Sequence, residues 1–285
     1  MEHKTIATNG QQLHVVCDGD PSGPLVILLH GFPESWLCWR RQIPLLAQAG
    51  YHVWAPDQRG YNLSDKPKGI AAYTIDQLAA DVVGLIDAAQ VKKAIIVGHD
   101  WGAAVAWWMA THYPDRLERM VVMNVPHPTV FRDFLHRSWR QRLRSWYAYF
   151  FQLPWLPEIG ARFANWAILA RSLQTSSAPG TFSEADLDLY REAWSQPQAY
   201  TSMLNWYRAA LQHPPTLPEN PRISMPTLLI WGTGDRFLGQ EMAQPSINLC
   251  DDGQLVLLEG VSHWVQNEAP DQVNHLITTF LRDSV

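Results

Sequence analysis

Two short runs of alternating apolar and polar residues open the chain, Lys4–Ala7 and Leu13–Val16, and the Asn9-Gly10 pair between them predicts a hairpin. Leu25–Leu29 then supplies an unbroken apolar run of strand length, the pattern of a strand buried on both faces. Similar runs recur at Val53–Ala55, Ala94–Val97, Met120–Met123, Thr227–Ile230 and Leu255–Leu258. Helical stretches alternate with them, at Trp39–Ala49, Ile75–Ala89, Ala103–His112, Met242–Leu249 and Val273–Arg282. This rhythm predicts an α/β fold with a mostly parallel central sheet flanked by helices, the opening hairpin forming an antiparallel edge.

One region breaks the rhythm. From His127 to Pro221 no buried-strand run occurs, and the pattern is helical, aromatic and rich in arginine. It holds Trp139, Trp146, Trp155, Trp166, Trp194 and Trp206, and proline-rich stretches bracket it. Because the strand pattern resumes at Thr227, residues 127–221 are expected to be a helical cap inserted into a core of 1–126 and 222–285. Arg132, Arg137, Arg140, Arg142 and Arg144 are expected on the solvated face of a cap helix, with Phe134, Leu135, Trp139, Leu143 and Trp146 turned inward.

Composition narrows the functional classes. The 285 residues carry 22 Lys plus Arg against 27 Asp plus Glu, a net charge of −5 that argues against nucleic-acid binding. No apolar run approaches the roughly 18 residues that span a bilayer, and Met1–Asp20 has no signal-like apolar stretch. Cys17, Cys38 and Cys250 are too scattered for a zinc site or a disulfide framework, so a reduced, cytoplasmic protein is expected. The 14 tryptophans suit either a large core or an apolar ligand pocket.

The chemistry is carried by Gly98-His99-Asp100-Trp101-Gly102, where an apolar strand runs into a helix through a Gly-x-Asp-x-Gly turn. Glycines on either side permit the sharp nucleophile elbow that exposes its central side chain. A helix cap alone would need no such glycines. A serine here would attack acyl carbons. An aspartate attacking a saturated carbon leaves an ester that water can open, so Asp100 predicts displacement at an sp³ carbon. The expected chain order then runs nucleophile, acid, histidine, and Asp235 and His263 follow in that order, each just beyond a strand end. Asn124, at the other place where this architecture can put its acid, cannot be a carboxylate. The loop His30–Trp36 offers the Phe32 N–H as an oxyanion donor beside that of Trp101. His30 and His99 are expected to bond loop backbone. Phe32, Trp101 and Trp264 are the candidate substrate-binding side chains.

His30-Gly31-Phe32-Pro33-Glu34-Ser35-Trp36 with Trp39-Arg40-Arg41-Gln42-Ile43-Pro44, together with the Asp100 elbow, resembles the epoxide hydrolases of the α/β-hydrolase fold over essentially the whole chain. That resemblance implies two cap tyrosines gripping the epoxide oxygen. Tyr207, in Asn205-Trp206-Tyr207-Arg208, looks like the second of them. Counting back from Phe151-Gln152-Leu153-Pro154 puts the first at Tyr147, with Tyr149 on another helix face and expected to be packing. The implied partners are a small hydrophobic epoxide and water, with no nucleic acid, membrane, metal or cofactor, in a monomer or homodimer. The alternative is a haloalkane or haloacid dehalogenase with the same nucleophile. Trp101 would serve a halide, but Phe32 replaces a polar donor and the arginines of haloacid enzymes are missing. A non-catalytic scaffold of this fold would be expected to lack one of Asp100, Asp235 and His263.

Overall fold

A computed structural model describes residues 1–282. Eight strands form one sheet: β1 (Glu2–Thr8), β2 (Gln11–Asp18), β3 (Leu25–Leu29), β4 (His52–Pro56), β5 (Ala94–His99), β6 (Leu117–Met123), β7 (Thr227–Gly232) and β8 (Gly253–Leu258). Their order is β1-β2-β4-β3-β5-β6-β7-β8. β1 pairs antiparallel with β2 and β2 with β4, and every later pairing is parallel. Asn9 and Gly10 turn the hairpin at φ 45° and 71°, as the Asn-Gly pair predicts.

The continuous apolar runs follow from burial on both sides, except at Leu255–Leu258, where β8 is the edge strand and Leu257 is exposed. In β3, Leu25, Ile27 and Leu29 face one core, shared with α2 (Ile75–Ala88) and α3 (Trp101–His112). Val26 and Leu28 face the other, built with α1 (Ile43–Gln48) and the C-terminal helix Pro270–Arg282. The helix expected over Trp39–Ala49 is interrupted: a 3₁₀ turn spans Trp36–Trp39, and α1 begins only at Ile43. Pro44 in its first turn explains the break, since proline fits a helix start and not a helix interior.

Seven helices lie between β6 and β7: α4 (Pro128–Arg137), α5 (Trp139–Arg144), α6 (Trp146–Phe150), α7 (Leu156–Arg162), α8 (Ala167–Thr175), α9 (Glu184–Ser195) and α10 (Ala199–Gln212). The expected inward face of the arginine-bearing helix is not realised. Ser138 and Ser145 divide that stretch into α4, α5 and α6, and each break resets the helical phase. Phe134 and Leu135 stay half-buried, whereas Trp139, Leu143 and Trp146 turn to solvent. Gln141 is the buried residue instead, its amide donating to Phe237 O (2.9 Å) and accepting from Gly239 N (3.1 Å). After β7 come α11 (Ala243–Ile247), α12 (Val265–Glu268) and α13 (Pro270–Arg282).

Cap and core are tied by buried polar contacts. Trp194 Nε1 donates to Pro33 O (2.6 Å) and Trp206 Nε1 to Arg59 O (3.0 Å). Arg59 is itself held by a bidentate pair with Asp81 of α2, at 2.7 and 2.5 Å, with both side chains nearly inaccessible. Removing one partner of such a pair strands a buried charge, at a cost of about 3–5 kcal/mol. Asp81→Ala should therefore lower the urea midpoint by that equivalent at unchanged slope; a loss below about 1 kcal/mol would mean that Arg59 is not held by this pair.

Candidate active site

Asp100 links β5 to α3 at φ 50°, ψ −123°, outside the regions that side-chain-bearing residues favour. The flanking glycines make this turn possible: a Cβ at Gly98 would overlap the Gly102 carbonyl, and one at Gly102 the Leu29 carbonyl. The turn places the carboxylate just beyond the C-terminal end of β5, a central strand, where Phe32 N donates to Oδ1 at 2.7 Å. Trp101 N–H, at the first helical position, has no intrahelical acceptor.

His263 reaches the site from the loop after β8. Its Nε2 lies 3.6 Å from Asp100 Oδ2, and its Nδ1 lies 2.7 Å from Asp235 Oδ2. Asp235 is fixed by three further donors: Phe237 N (2.7 Å) and Leu238 N (3.0 Å) on Oδ1, and Asn124 Nδ2 (2.8 Å) on Oδ2. Asn124 also accepts from Gly232 N (3.1 Å) and takes φ 53° at the end of β6. Asn124 thus holds the Asp235 carboxylate in place. Its signal was its location, one residue past a strand end that faces Asp235.

His30 and His99 serve the backbone. The His30 ring pairs with Gly31 O (3.0 Å) and accepts from Gln58 N (3.0 Å), and burial depresses its pKa. His99 Nε2 bonds the carbonyl of His263 at 2.9 Å, and its Nδ1 meets the Gln266 side chain at 3.0 Å. Glu34, fully buried, accepts from Tyr190 OH, Asn267 Nδ2 and Gln266 Nε2 at 2.8–3.0 Å, tying the loop after β3 to α9 and α12. No role was assigned to it from sequence.

A cavity of about 520 Å³ lies between core and cap, and Asp100, Trp101, Tyr147 and Tyr207 all line it. The phenol rings approach edge to face, with centroids 5.9 Å apart, and Tyr207 packs in the same way on Trp101 at 5.1 Å. Burial first, and the Asp100 charge second, push both phenol pKa values up. Two expected residues stand elsewhere. Trp264 does not line this cavity: it is buried behind His263, with its indole N–H bonded to Ser176 Oγ at 2.9 Å. The Phe32 ring packs on Tyr207 and Phe151, so its backbone meets the site more than its side chain does. Tyr149, expected to pack, lies exposed at the cavity rim. Among the described residues no cluster of His, Cys, Asp or Glu could hold a metal ion, and no helix is long and apolar enough to cross a membrane.

Comparison with known proteins identifies the family of the fold. The α/β-hydrolase fold family model matches residues 24–270. An α/β-hydrolase superfamily protein, YfhM of Bacillus subtilis, is 45% identical over 98% of this chain and 97% of its own. Human epoxide hydrolase 4 is 37% identical over 98% of this chain and 78% of its own. An inhibitor-bound Bacillus megaterium epoxide hydrolase superposes with a TM-score of 0.89 at 29% identity, covering 98% of this chain and all of that one. The chain belongs to the α/β-hydrolase fold family, among its epoxide hydrolases. In this hydrolase, Asp100 occupies the elbow and Asp235 and His263 complete a connected triad.

The charge balance of the triad is informative. Burial disfavours an imidazolium at His263, but Asp235 and Asp100 outweigh it and hold its pKa up, at about 10. Burial likewise works against the Asp100 carboxylate, yet His263, His99 and the Phe32 N–H keep its pKa below the ordinary value. The resting site is thus an ion pair. A raised histidine pKa means that the charged form persists as pH rises through neutrality. In NMR titrations His263 should stay protonated at pH 8, and Asp100→Asn should move its midpoint down; an unchanged midpoint in that variant would mean that Asp100 contributes nothing to the shift.

Proposed function

We propose that this protein opens epoxides to vicinal diols through a covalent ester on Asp100. The observation that carries this reading is one cavity lined by a carboxylate and two phenols, with His263 Nε2 3.6 Å from the carboxylate. Asp100 Oδ2 attacks an epoxide carbon, the ring C–O bond breaks, and its electron pair goes to the ring oxygen. That oxygen becomes a strongly basic alkoxide, so it takes a proton from Tyr147 or Tyr207, whose raised pKa values keep them protonated. Esterification neutralises Asp100 and removes one of the two charges that hold the proton on His263. The proton His263 then releases restores the phenol and leaves a neutral imidazole. Oriented by Asp235, that imidazole draws a proton from water, and hydroxide attacks the ester carbonyl. The oxyanion forms at Oδ1, where Phe32 N–H already sits, and Trp101 N–H is the second donor. Collapse expels the diol oxygen as an alkoxide, which takes the proton from His263, and the carboxylic acid left on Asp100 passes its proton to the imidazole, restoring the starting pair.

Two experiments divide this sequence of steps. His263→Gln blocks only the second half, so excess epoxide should leave an ester of substrate mass on Asp100 in intact-protein mass spectrometry. An unmodified protein would remove His263 from that role. Tyr147→Phe with Tyr207→Phe deletes two oxygens and both proton donors. Epoxide opening should fall by at least about 10²–10⁴-fold, and either single variant should keep part of the rate. A folded double variant with wild-type turnover would falsify the tyrosine assignment. Halide release from alkyl halides outpacing diol formation in the unmodified enzyme would favour a dehalogenase.

A further inference from the structure

The two halves of the cap treat their tryptophans in opposite ways. Trp166, Trp194 and Trp206 are buried, with their indole N–H groups bonded to Ser195 Oγ, Pro33 O and Arg59 O. Trp139, Trp146 and Trp155 are 60%, 62% and 76% exposed. Ten of the fifteen large hydrophobic residues exposed among the described residues fall between Trp139 and Ile168. In α7 the amphipathic pattern is inverted: Pro157 and Ala161 face inward, while Leu156, Ile159 and the following Phe163 meet water. Trp155 before α7, and Ala164, Asn165 and Trp166 after it, all take positive φ, so strained turns at both ends hold that apolar face outward.

Charge is segregated in the same place. Residues 128–171 hold seven arginines, all exposed, and only two carboxylates, whereas the rest of the chain has a net charge of −10. Of those two carboxylates, Glu158 is paired with Arg208, at 2.9 Å. Among the described residues none of the seven arginines forms an ion pair, and Arg140 lies over the Trp139 ring at 5.7 Å.

We propose that this face of the cap docks on anionic lipid bilayers. Exposed tryptophan and aliphatic side chains interleaved with arginine match the chemistry of a bilayer interface, where rings sit at headgroup depth and cations meet lipid phosphates. Charge selects the occupant. A second copy joined through the same face by two-fold symmetry would oppose two cationic surfaces, whereas an anionic surface attracts this face and repels the acidic remainder. The arginines therefore do more than solvate a helix, because the aromatic side chains expected to turn inward stand exposed beside them. Arg132, His136 and Tyr149 of this stretch also line the active-site cavity, so docking would bring the cavity close to the phase in which apolar epoxides dissolve. Docking itself does not rest on the proposed chemistry.

The test uses the full chain and sedimenting vesicles of phosphatidylcholine, either pure or containing about a third phosphatidylglycerol. The protein should sediment with the anionic vesicles at least about tenfold more strongly than with the neutral ones, and less so as salt rises. Changing Arg137, Arg140, Arg142 and Arg144 to Gln should weaken that binding at least about tenfold, and Trp146→Ser with Phe163→Ser should weaken it too. Both variants should keep wild-type turnover of a water-soluble epoxide, which checks the fold and tests the catalytic reading separately. Equal binding to both vesicle types, or none to the anionic ones, would overturn the proposal. So would self-association in lipid-free sedimentation velocity that the same variants abolish, since the face would then be a contact between copies.

Discussion

Between β5 and α3 the chain must pass from strand to helix at a single residue, and Asp100 does so in a backbone conformation costing on the order of 1–3 kcal/mol. Nothing at Asp100 itself relieves that strain. It is sustained by β5, buried at every residue and paired on both sides, and by α3 packed on the sheet through Trp107 and its neighbours. The same turn brings the Phe32 N–H and the carboxylate together at the C-terminal end of a central strand. Because Gly31, Gly98 and Gly102 have no side chains, the loop after β3 and the helix start close on the carboxylate without overlap. The rest of the site is arranged around this constraint.

Charge at the site is organised as a switch with no moving part. Two carboxylates flank one imidazole, and each favours its protonated form. The inner carboxylate, Asp235, is held in place by two backbone N–H groups and Asn124. Under the proposed chemistry the outer one, Asp100, loses its charge on forming the ester. Histidine basicity therefore falls when a base is next required, and returns when the ester is cleaved. The coupling needs only electrostatics at short range in a buried site.

The phenols belong to the cap, so under the proposed chemistry they reach the site through cap docking. Tyr147 comes from α6 and Tyr207 from α10, next to Trp206, whose indole bonds the core at Arg59 O. Gln152 Nε2 donates to the Tyr207 carbonyl (3.2 Å), and Arg208 Nε donates to Phe151 O (2.9 Å), clamping the turn after α6 to α10. The buried Arg59–Asp81 pair, whose Arg59 carbonyl accepts from the Trp206 indole, thus supports the joint between the layers.

What could be read from the sequence was what is encoded locally. Strands buried on both faces leave continuous apolar runs, so the sheet and its neighbours were legible at Leu25–Leu29 and its counterparts. A strained elbow needs flanking glycines, so Asp100 announced itself, and chain order brought in Asp235 and His263. Facing and partnership were not legible. Ser138 and Ser145 interrupt a helical pattern that looks continuous, and each interruption rotates the apolar face, so Trp139 and Trp146 meet solvent while Gln141 is buried. Trp264 sits beside the histidine in sequence, yet a hydrogen bond to Ser176 holds it outside the cavity. Asn124 gains its role only because β6 lies beside β7, which carries Asp235. Sequence determines which residues can form each element and turn; which way a side chain faces depends on helix phase and on contacts across dozens of residues, and these only the packed tertiary structure decides.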